Sequence, residues 1–240
     1  VASPVEQFDI KPLVEIQVGG VDISFTNSAL FMAIAVGLSA LFFWYGTRKR
    51  ALVPGRWQSV NEVFYEFIAN MIRDNVGKEG MKYFPFIFTL FMFVFLGNML
   101  GLMPYSFTFT SHIAVTATLA LFIFIAVTII GFMRHGTHFL RMFFPHGAPI
   151  ATAPILIPIE LISYLSRPFS LSVRLFANMT VGHIMLKVLA GFVVALGFFG
   201  FIPLAVVFGV TLLEIGIAAL QAYVFTILTC IYLNDAINMH

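Results

Sequence analysis

The chain of 240 residues is 60% hydrophobic and 10% charged, with a formal net charge of +2. Soluble domains carry about a quarter charged residues, so this composition excludes an ordinary soluble fold, and the near-balanced charge excludes electrostatic capture of nucleic acid. Several apolar runs approach the roughly 20 residues that cross a hydrocarbon core, whereas a barrel would alternate in segments of about ten, so the expected fold is all-α and polytopic, a single membrane domain over 1–240.

In chain order, residues 1–26 contain Pro4, Pro12 and the pair Gly19 and Gly20 and read as an extended or turn-rich outer arm, without the pattern of a signal peptide. The first span is expected at 27–46, ended by Phe43, Trp44 and Tyr45 at interfacial level and then by Arg48, Lys49, Arg50 and Arg56. The positive-inside rule places that end inside and the N-terminus outside. Residues 58–76 set Val60, Phe64, Phe67, Ile68, Met71 and Ile72 on one face and Glu62, Glu66, Arg73 and Asp74 around the other, the pattern of an interfacial helix rather than a span.

A transmembrane hairpin is expected at 83–133, with a turn-like segment at 104–112, and Arg134, His135, His138 and Arg141 form a second basic cluster on the inner side. Asn98, inside the outward span, has two readings: an interhelical hydrogen bond or a channel lining. Pro145, Pro149, Pro154 and Pro158 are expected to form a loop or shallow re-entrant segment before a helix that starts near Ile159, and Pro168 is expected to kink that helix. Gly197 and Gly200 supply a turn, and the last helix ends near Asn234 with the C-terminus inside. At 1.5 Å per residue it is about 50 Å long against a hydrocarbon core of about 30 Å, so a long, strongly tilted hairpin is expected at 159–236. Cys230 sits in an apolar run, cannot close an intrachain disulfide, and reads as packing.

Residues 166–187 carry membrane hydrophobicity together with Arg167, Arg174, Asn178, His183 and Lys187. An ionised side chain at mid-bilayer costs about 2.5–3.5 kcal/mol on insertion scales, so Arg174 is the first functional suspect. At intervals of three or four, Glu160, Ser163, Arg167, Ser170, Arg174 and Asn178 form one seam, and Thr180, His183 and Lys187 form a second. If the last two helices run antiparallel about residue 198, residues at equal rise face each other when their numbers add to about 396. His183 with Glu214, Arg174 with Gln221, and Glu160 with Asp235 satisfy that rule. It sets a His/Glu pair towards the outer side of Arg174 and an acidic Glu160/Asp235 cluster towards the inner side.

Imidazole titrates near neutral pH, so His183 with Glu214 can accept and release protons, or the two can form a static buried pair. Arginine does not titrate, so Arg174 would block a continuous proton wire between the clusters. Gln221 reads as a partner of Arg174 or as interhelical glue, and Lys187 as a snorkelling residue or a relay member. Gly209, Gly216, Ala218, Ala219 and Ala222 permit close approach of another helix, where a separate proton carrier could pack.

At S-L-S-V-R-L-F-A-N-M-T-V-G-H (170–183), L-E-I-G-I-A-A-L-Q-A (213–222), L-G-N-M-L-G-L-M-P-Y-S (96–106) and I-Y-L-N-D-A (231–236), the sequence resembles subunit a of the rotary F-type ATP synthases over nearly its whole length. The resemblance implies that Arg174 is the essential arginine, Asn178 its neighbour and Gln221 the glutamine facing it, with Glu160 the acid of an inner half-channel. At the His183 and Glu214 positions many bacterial members carry the two residue types exchanged, so which of the pair is the primary acceptor stays open. The implied role is a non-catalytic, proton-translocating stator subunit with two offset half-channels. Its partners would be a c-subunit ring, peripheral-stalk b-type subunits, the remaining ATP synthase subunits, the lipid bilayer and translocated protons. The implied location is the bacterial plasma (inner) membrane or the mitochondrial inner membrane.

No cofactor or metal is expected, since the chain has no G-x-x-x-x-G-K-[ST] loop, no H-E-x-x-H and no Cys/His cluster. A secondary transporter binding an anion at Arg174 would need inverted repeats and paired broken helices, which the sequence does not show. An intramembrane hydrolase would need Ser170 or Ser172 beside His183, and these lie 13 and 11 residues away on the same helix.

Overall fold

A computed structural model of the chain describes residues 9–15, 17–18, 21–22, 24–48, 54–103, 106–136, 139 and 153–238. The expectations for Pro4, Gly19, Gly20, Lys49, Arg50, His138, Arg141, Pro145 and Pro149 fall outside the described residues. In the N-terminal arm, strand β1 (Pro12–Val14) pairs antiparallel with β4 (Phe25–Thr26), and between them β2 (Gln17–Val18) pairs antiparallel with β3 (Val21–Asp22). Helix α1 (Asn27–Thr47) follows directly. The Thr26 hydroxyl accepts from the Ala29 N–H at 3.3 Å, satisfying one of the amides that a helix start leaves unpaired. Asn27 then clasps the arm: its Oδ1 accepts from the Lys11 N–H at 3.2 Å, and its Nδ2 donates to the Asp9 carbonyl at 3.1 Å.

Helix α1 is apolar all round and buries only Ser28, Ala35 and Gly46, as expected of a helix whose other faces meet lipid. Helix α2 (Arg56–Asn75) lies across its C-terminal end. Asn61 donates to the Phe42 carbonyl at 3.4 Å and occupies the space that a side chain at Gly46 would fill. Of the apolar face of α2, Ile68, Met71 and Ile72 are buried against the bundle while Val60 and Phe67 are exposed, so the helix packs by its C-terminal half. Gly77, at φ +84, reverses the chain after α2, where a side chain would be strained. A 3₁₀ segment (Lys78–Tyr83) leads into α3 (Phe84–Gly101), with proline in its first turn.

The core is built around α3 and the C-terminal half of α6 (Phe201–Ile237). From α3 come Ile87, Leu90, Phe91 and Val94, and from α6 come Ala218, Ala222, Phe225 and Leu233. The alanines let the two backbones approach closely, the usual basis of helix packing in membranes. Helix α4 (Ile113–His135) and helix α5 (Ala153–Ala195) close the other side, α5 contributing Leu171, Leu175 and Met179 at one-turn intervals. Among the described residues, five segments are long and apolar enough to cross a membrane: α1, Lys78–Gly101, α4, Pro154–Ala195 and Gly197–Ile237. The chain is an all-α polytopic membrane protein, with α2 outside that set.

Helix α5 begins at Ala153, not near Ile159 as the prolines suggest. Pro154 falls in the first turn, where its missing N–H has no intrahelical bond to lose, and membrane helices tolerate the later prolines because neighbouring helices hold them. At 1.5 Å per residue α5 is about 65 Å long and α6 about 55 Å. They reverse through a short turn at Gly197–Gly200, Gly197 having φ +51. His135 Nε2 donates to the Ile237 carbonyl at 3.0 Å and the Asn238 amide to the Val76 carbonyl at 3.5 Å, so the C-terminal ends of α2, α4 and α6 gather on one side. An Arg134–Glu79 ion pair joins α4 to the 3₁₀ segment on that side. The opposite side holds the arm, the 106–112 connection and the α5–α6 turn.

Phe109 is buried in that connection, its ring 5.4 Å from Phe93 and directly over Gly97. A side chain at Gly97 would collide with it, so Gly97→Leu should cost about 1–3 kcal/mol by overpacking. The check is thermal stability and subunit level in purified membranes, with Gly37→Ala, where a Cβ meets nothing within 4 Å, expected to be neutral.

His112, just before α4, stacks on Phe107 at 5.0 Å, and burial lowers its pKa below the ordinary 6.5. A histidine kept neutral in the fold contributes stability above its unfolded pKa that is lost as pH falls. Hydrogen exchange of 106–112 should therefore speed up between pH 7.5 and pH 5 beyond its intrinsic pH dependence, and His112→Phe should flatten that response.

Candidate functional site

The two polar seams of α5 are placed by its packing. Leu171, Leu175 and Met179 face the bundle, which leaves Ser170, Arg174, Asn178, Val181 and Met185 along the exposed face. Arg174 thus projects from an apolar surface, and among the described residues nothing hydrogen-bonds to its guanidinium or pairs with it. One turn on, Asn178 Nδ2 donates to Gln221 Oε1 at 2.8 Å, and Gln221 is only 2% exposed. The expected contact of Arg174 with Gln221 is therefore replaced by Asn178 with Gln221.

Towards the arm, His183 Nδ1 stands 3.7 Å from Glu214 Oε1, with both side chains largely buried. This is ion-pair distance rather than hydrogen-bond distance. Gly182 makes the approach possible, because a Cβ there would lie 2.5 Å from Glu214 Oε1. The other ring nitrogen, Nε2, lies 3.1 Å from the Thr108 hydroxyl, and Thr180 donates to the Ser111 carbonyl at 3.2 Å, so the 106–112 connection is bound to α5 at two points. A cavity of about 930 Å³ reaches His183 of this pair, lined among others by Asp9, Lys11, Asn27, Thr108 and Lys187. Asn98 is fully buried and donates to the Ala218 carbonyl at 3.2 Å, between the Glu214 and Gln221 turns of α6, which is the interhelical-bond reading of that residue.

At the opposite end the expected meeting of Glu160 with Asp235 does not occur. Asp235 Oδ2 accepts from Arg167 Nη1 at 2.8 Å, while Glu160 is half-buried with no ion pair among the described residues. The Arg167 guanidinium also lies over the rings of Tyr164, at 5.4 Å, and Tyr232, at 5.0 Å. The Thr128 hydroxyl has the Phe124 carbonyl as acceptor at 2.7 Å, so the Tyr164 hydroxyl, also at 2.7 Å, is the donor to Thr128 and ties this cluster to α4. Equal rise fails here because α5 takes 16 residues between Arg167 and His183 where α6 takes 21 between Glu214 and Asp235. Pro168 removes a hydrogen bond beside Arg167, and the long arginine side chain reaches further along α6.

Sequence reasoning placed Arg167 on the polar seam but gave it no partner, and it missed Thr108, Tyr164, Tyr232 and Gly182. The Thr-Phe-Thr-Ser-His run at 108–112 was the available signal for Thr108. Ser172 donates to the Phe169 carbonyl at 3.0 Å, on the buried face, and no Ser/His hydrogen bond forms among the described residues.

Removing one member of the Arg167–Asp235 pair leaves the other charge, and two tyrosine rings, without their partner. Arg167→Ala and Asp235→Ala should each lower thermal stability by about 1–2 kcal/mol, between the exposed and buried limits for ion pairs. The double variant should be less destabilised than the two single losses added together, with a coupling of at least about 0.5 kcal/mol in a double-mutant cycle.

Residues 29–234 match the family described as ATP synthase A chain. Among curated relatives, ATP synthase subunit a of Rhodospirillum rubrum is 79% identical over 239 residues, covering 99% of both chains. That of Paramagnetospirillum magneticum is 69% identical, covering all of both chains, and that of Mesorhizobium japonicum is 54% identical over 98% of this chain and 96% of its own. With an apolar helical bundle, the R-L-F-A-N-M stretch on α5 and its glutamine partner on α6, the chain belongs to the ATP synthase subunit a family, the membrane Fo subunit of F-type ATP synthases.

Proposed function

We propose that this chain, as a single membrane unit, carries two offset proton half-channels to and from a carboxylate on a neighbouring c-subunit ring, with Arg174 as the barrier between them. The observation that carries this reading is Arg174 itself, a permanent cation on an apolar face with no anion of its own chain among the described residues. Such a charge calls for a counter-ion supplied by a partner, and an ionised carboxylate passing along the exposed face of α5 and α6 meets that need.

A proton enters through the arm-side cavity to His183 and Glu214 and passes to the ring carboxylate, which then turns into lipid in its neutral form. The next arriving carboxyl gives up its proton near Arg174, which stabilises the anion, and the proton leaves by way of Glu160 to the other side. Asn178 and Gln221 hold the polar face beside Arg174, and Asp235 with Arg167 fixes the inner wall. His183 lies about 13 Å along α5 from Arg174 and Glu160 about 21 Å the other way, so neither proton-accessible group reaches the other directly. Each charge that crosses 100 mV supplies about 2.3 kcal/mol, so several must be coupled to each ATP made elsewhere in the complex. The subunit performs no catalysis of its own. The positive-inside rule, applied to Arg48 and Arg134, puts the arm outside and the C-terminus inside.

In vesicles carrying the assembled synthase under an imposed potential, Arg174→Ala should abolish ATP-driven proton pumping and open a passive proton leak. Unchanged coupled pumping would remove Arg174 from the barrier role and leave it a structural charge.

A further inference from the structure

Thr108 sits between a backbone carbonyl and an imidazole nitrogen. Its hydroxyl lies 3.1 Å from the Gly101 carbonyl and 3.1 Å from His183 Nε2. A threonine has one hydroxyl hydrogen, and a carbonyl can only accept. Gly101 closes α3, so its carbonyl has no partner within the helix. The competing hydroxyl, Ser106, is 3.2 Å from that carbonyl but nearer to those of Leu100, at 2.6 Å, and Met103, at 2.7 Å. The Thr108 hydrogen therefore goes to Gly101, and towards His183 its oxygen is left as an acceptor.

We infer that Thr108 sets the tautomer of His183, holding the proton on Nε2 and turning the bare Nδ1 towards Glu214. This rests on the proposed reading that the His183/Glu214 pair lies on the proton path. With Nε2–H donated to Thr108, Nδ1 is the nitrogen that gains and loses a proton. When the imidazolium passes that proton on, the Nδ1–H bond breaks, an O–H bond forms on Glu214, and the ring returns to the same neutral tautomer. The opposite tautomer would turn an N–H towards Glu214 and a lone pair towards a hydroxyl whose hydrogen is already committed. Gly101 and Gly182 shape the arrangement, since a Cβ at 101 would meet Thr108 and one at 182 would meet Glu214. Among the described residues, the charged groups that face the ring or line the cavity with it are Glu214 on α6, Lys187 one turn along α5, and Asp9 and Lys11 from the arm. Thr108 is a positioning residue: it acts on the proton path only through His183.

The test uses the assembled synthase in vesicles with ¹⁵N-histidine label. The His183 ring signals are identified by their loss in His183→Gln, and ATP-driven pumping is followed against pH in parallel. The wild type and Thr108→Ser should show a protonated Nε2 and a bare Nδ1 in the neutral ring. Thr108→Val, which keeps the shape and removes the hydroxyl, should lose that single tautomer, slow pumping about tenfold and shift its pH profile by about one unit, the scale of one hydrogen bond. An unchanged tautomer and pH profile in Thr108→Val overturns the inference, as does a Thr108→Ser enzyme that assembles fully but behaves like Thr108→Val. Full pumping by His183→Ala would instead overturn the proton-path reading, while the nitrogen signals would still read the tautomer.

Discussion

The bundle depends on how an apolar helix accommodates two arginines seven residues apart on the same face. Arg167 is neutralised within the chain, by the Asp235 carboxylate and by the faces of Tyr164 and Tyr232. Arg174, two turns on, has no such partner among the described residues. A guanidinium cannot shed its proton to escape an apolar surrounding, so the two positions have opposite meanings. Arg167 closes a contact inside the chain, and Arg174 leaves its charge on the exposed face of α5.

The remaining polar contacts hold that charge in place and set the acid/base pair at a defined distance. Asn98 ties α3 to the backbone of α6 between Glu214 and Gln221, and Asn178 ties α5 to Gln221. Thr128 and Tyr164 join α4 to α5, while His135 and Asn238 anchor the end of α6 to α4 and α2. Water is scarce inside the bundle, so the bonds between spans satisfy groups that would otherwise be left unpaired, and together with the contacts at the helix ends they resist sliding of α5 along α6. Sliding by one turn, about 5.4 Å, would separate His183 from Glu214.

Glycine serves the site by absence of volume. Gly182 admits the Glu214 carboxyl, Gly101 admits Thr108, and Gly97 admits the Phe109 ring that keeps the 106–112 connection close to α3. The arm-side cavity ends at His183 because this connection and the arm, clasped by Asn27, bound it. A loop without helical or strand periodicity thereby supplies a contact to a titratable ring, and the hydroxyl-rich run at 108–112 is its signal in the sequence.

The sequence by itself determined the fold class, which segments are long and apolar enough to cross a membrane, the amphipathic α2, and the meeting of His183 with Glu214. These follow from run length, a 3.6-residue period and equal rise about one turn, all properties of the chain near itself. Only the tertiary structure decided that Gln221 bonds to Asn178 rather than Arg174, that Asp235 belongs to Arg167 rather than Glu160, and that Thr108 touches His183. Those choices depend on how far side chains reach and on how much more of α6 than of α5 spans the same contact. Neither quantity is periodic in the sequence, because both are set by helices packing against one another.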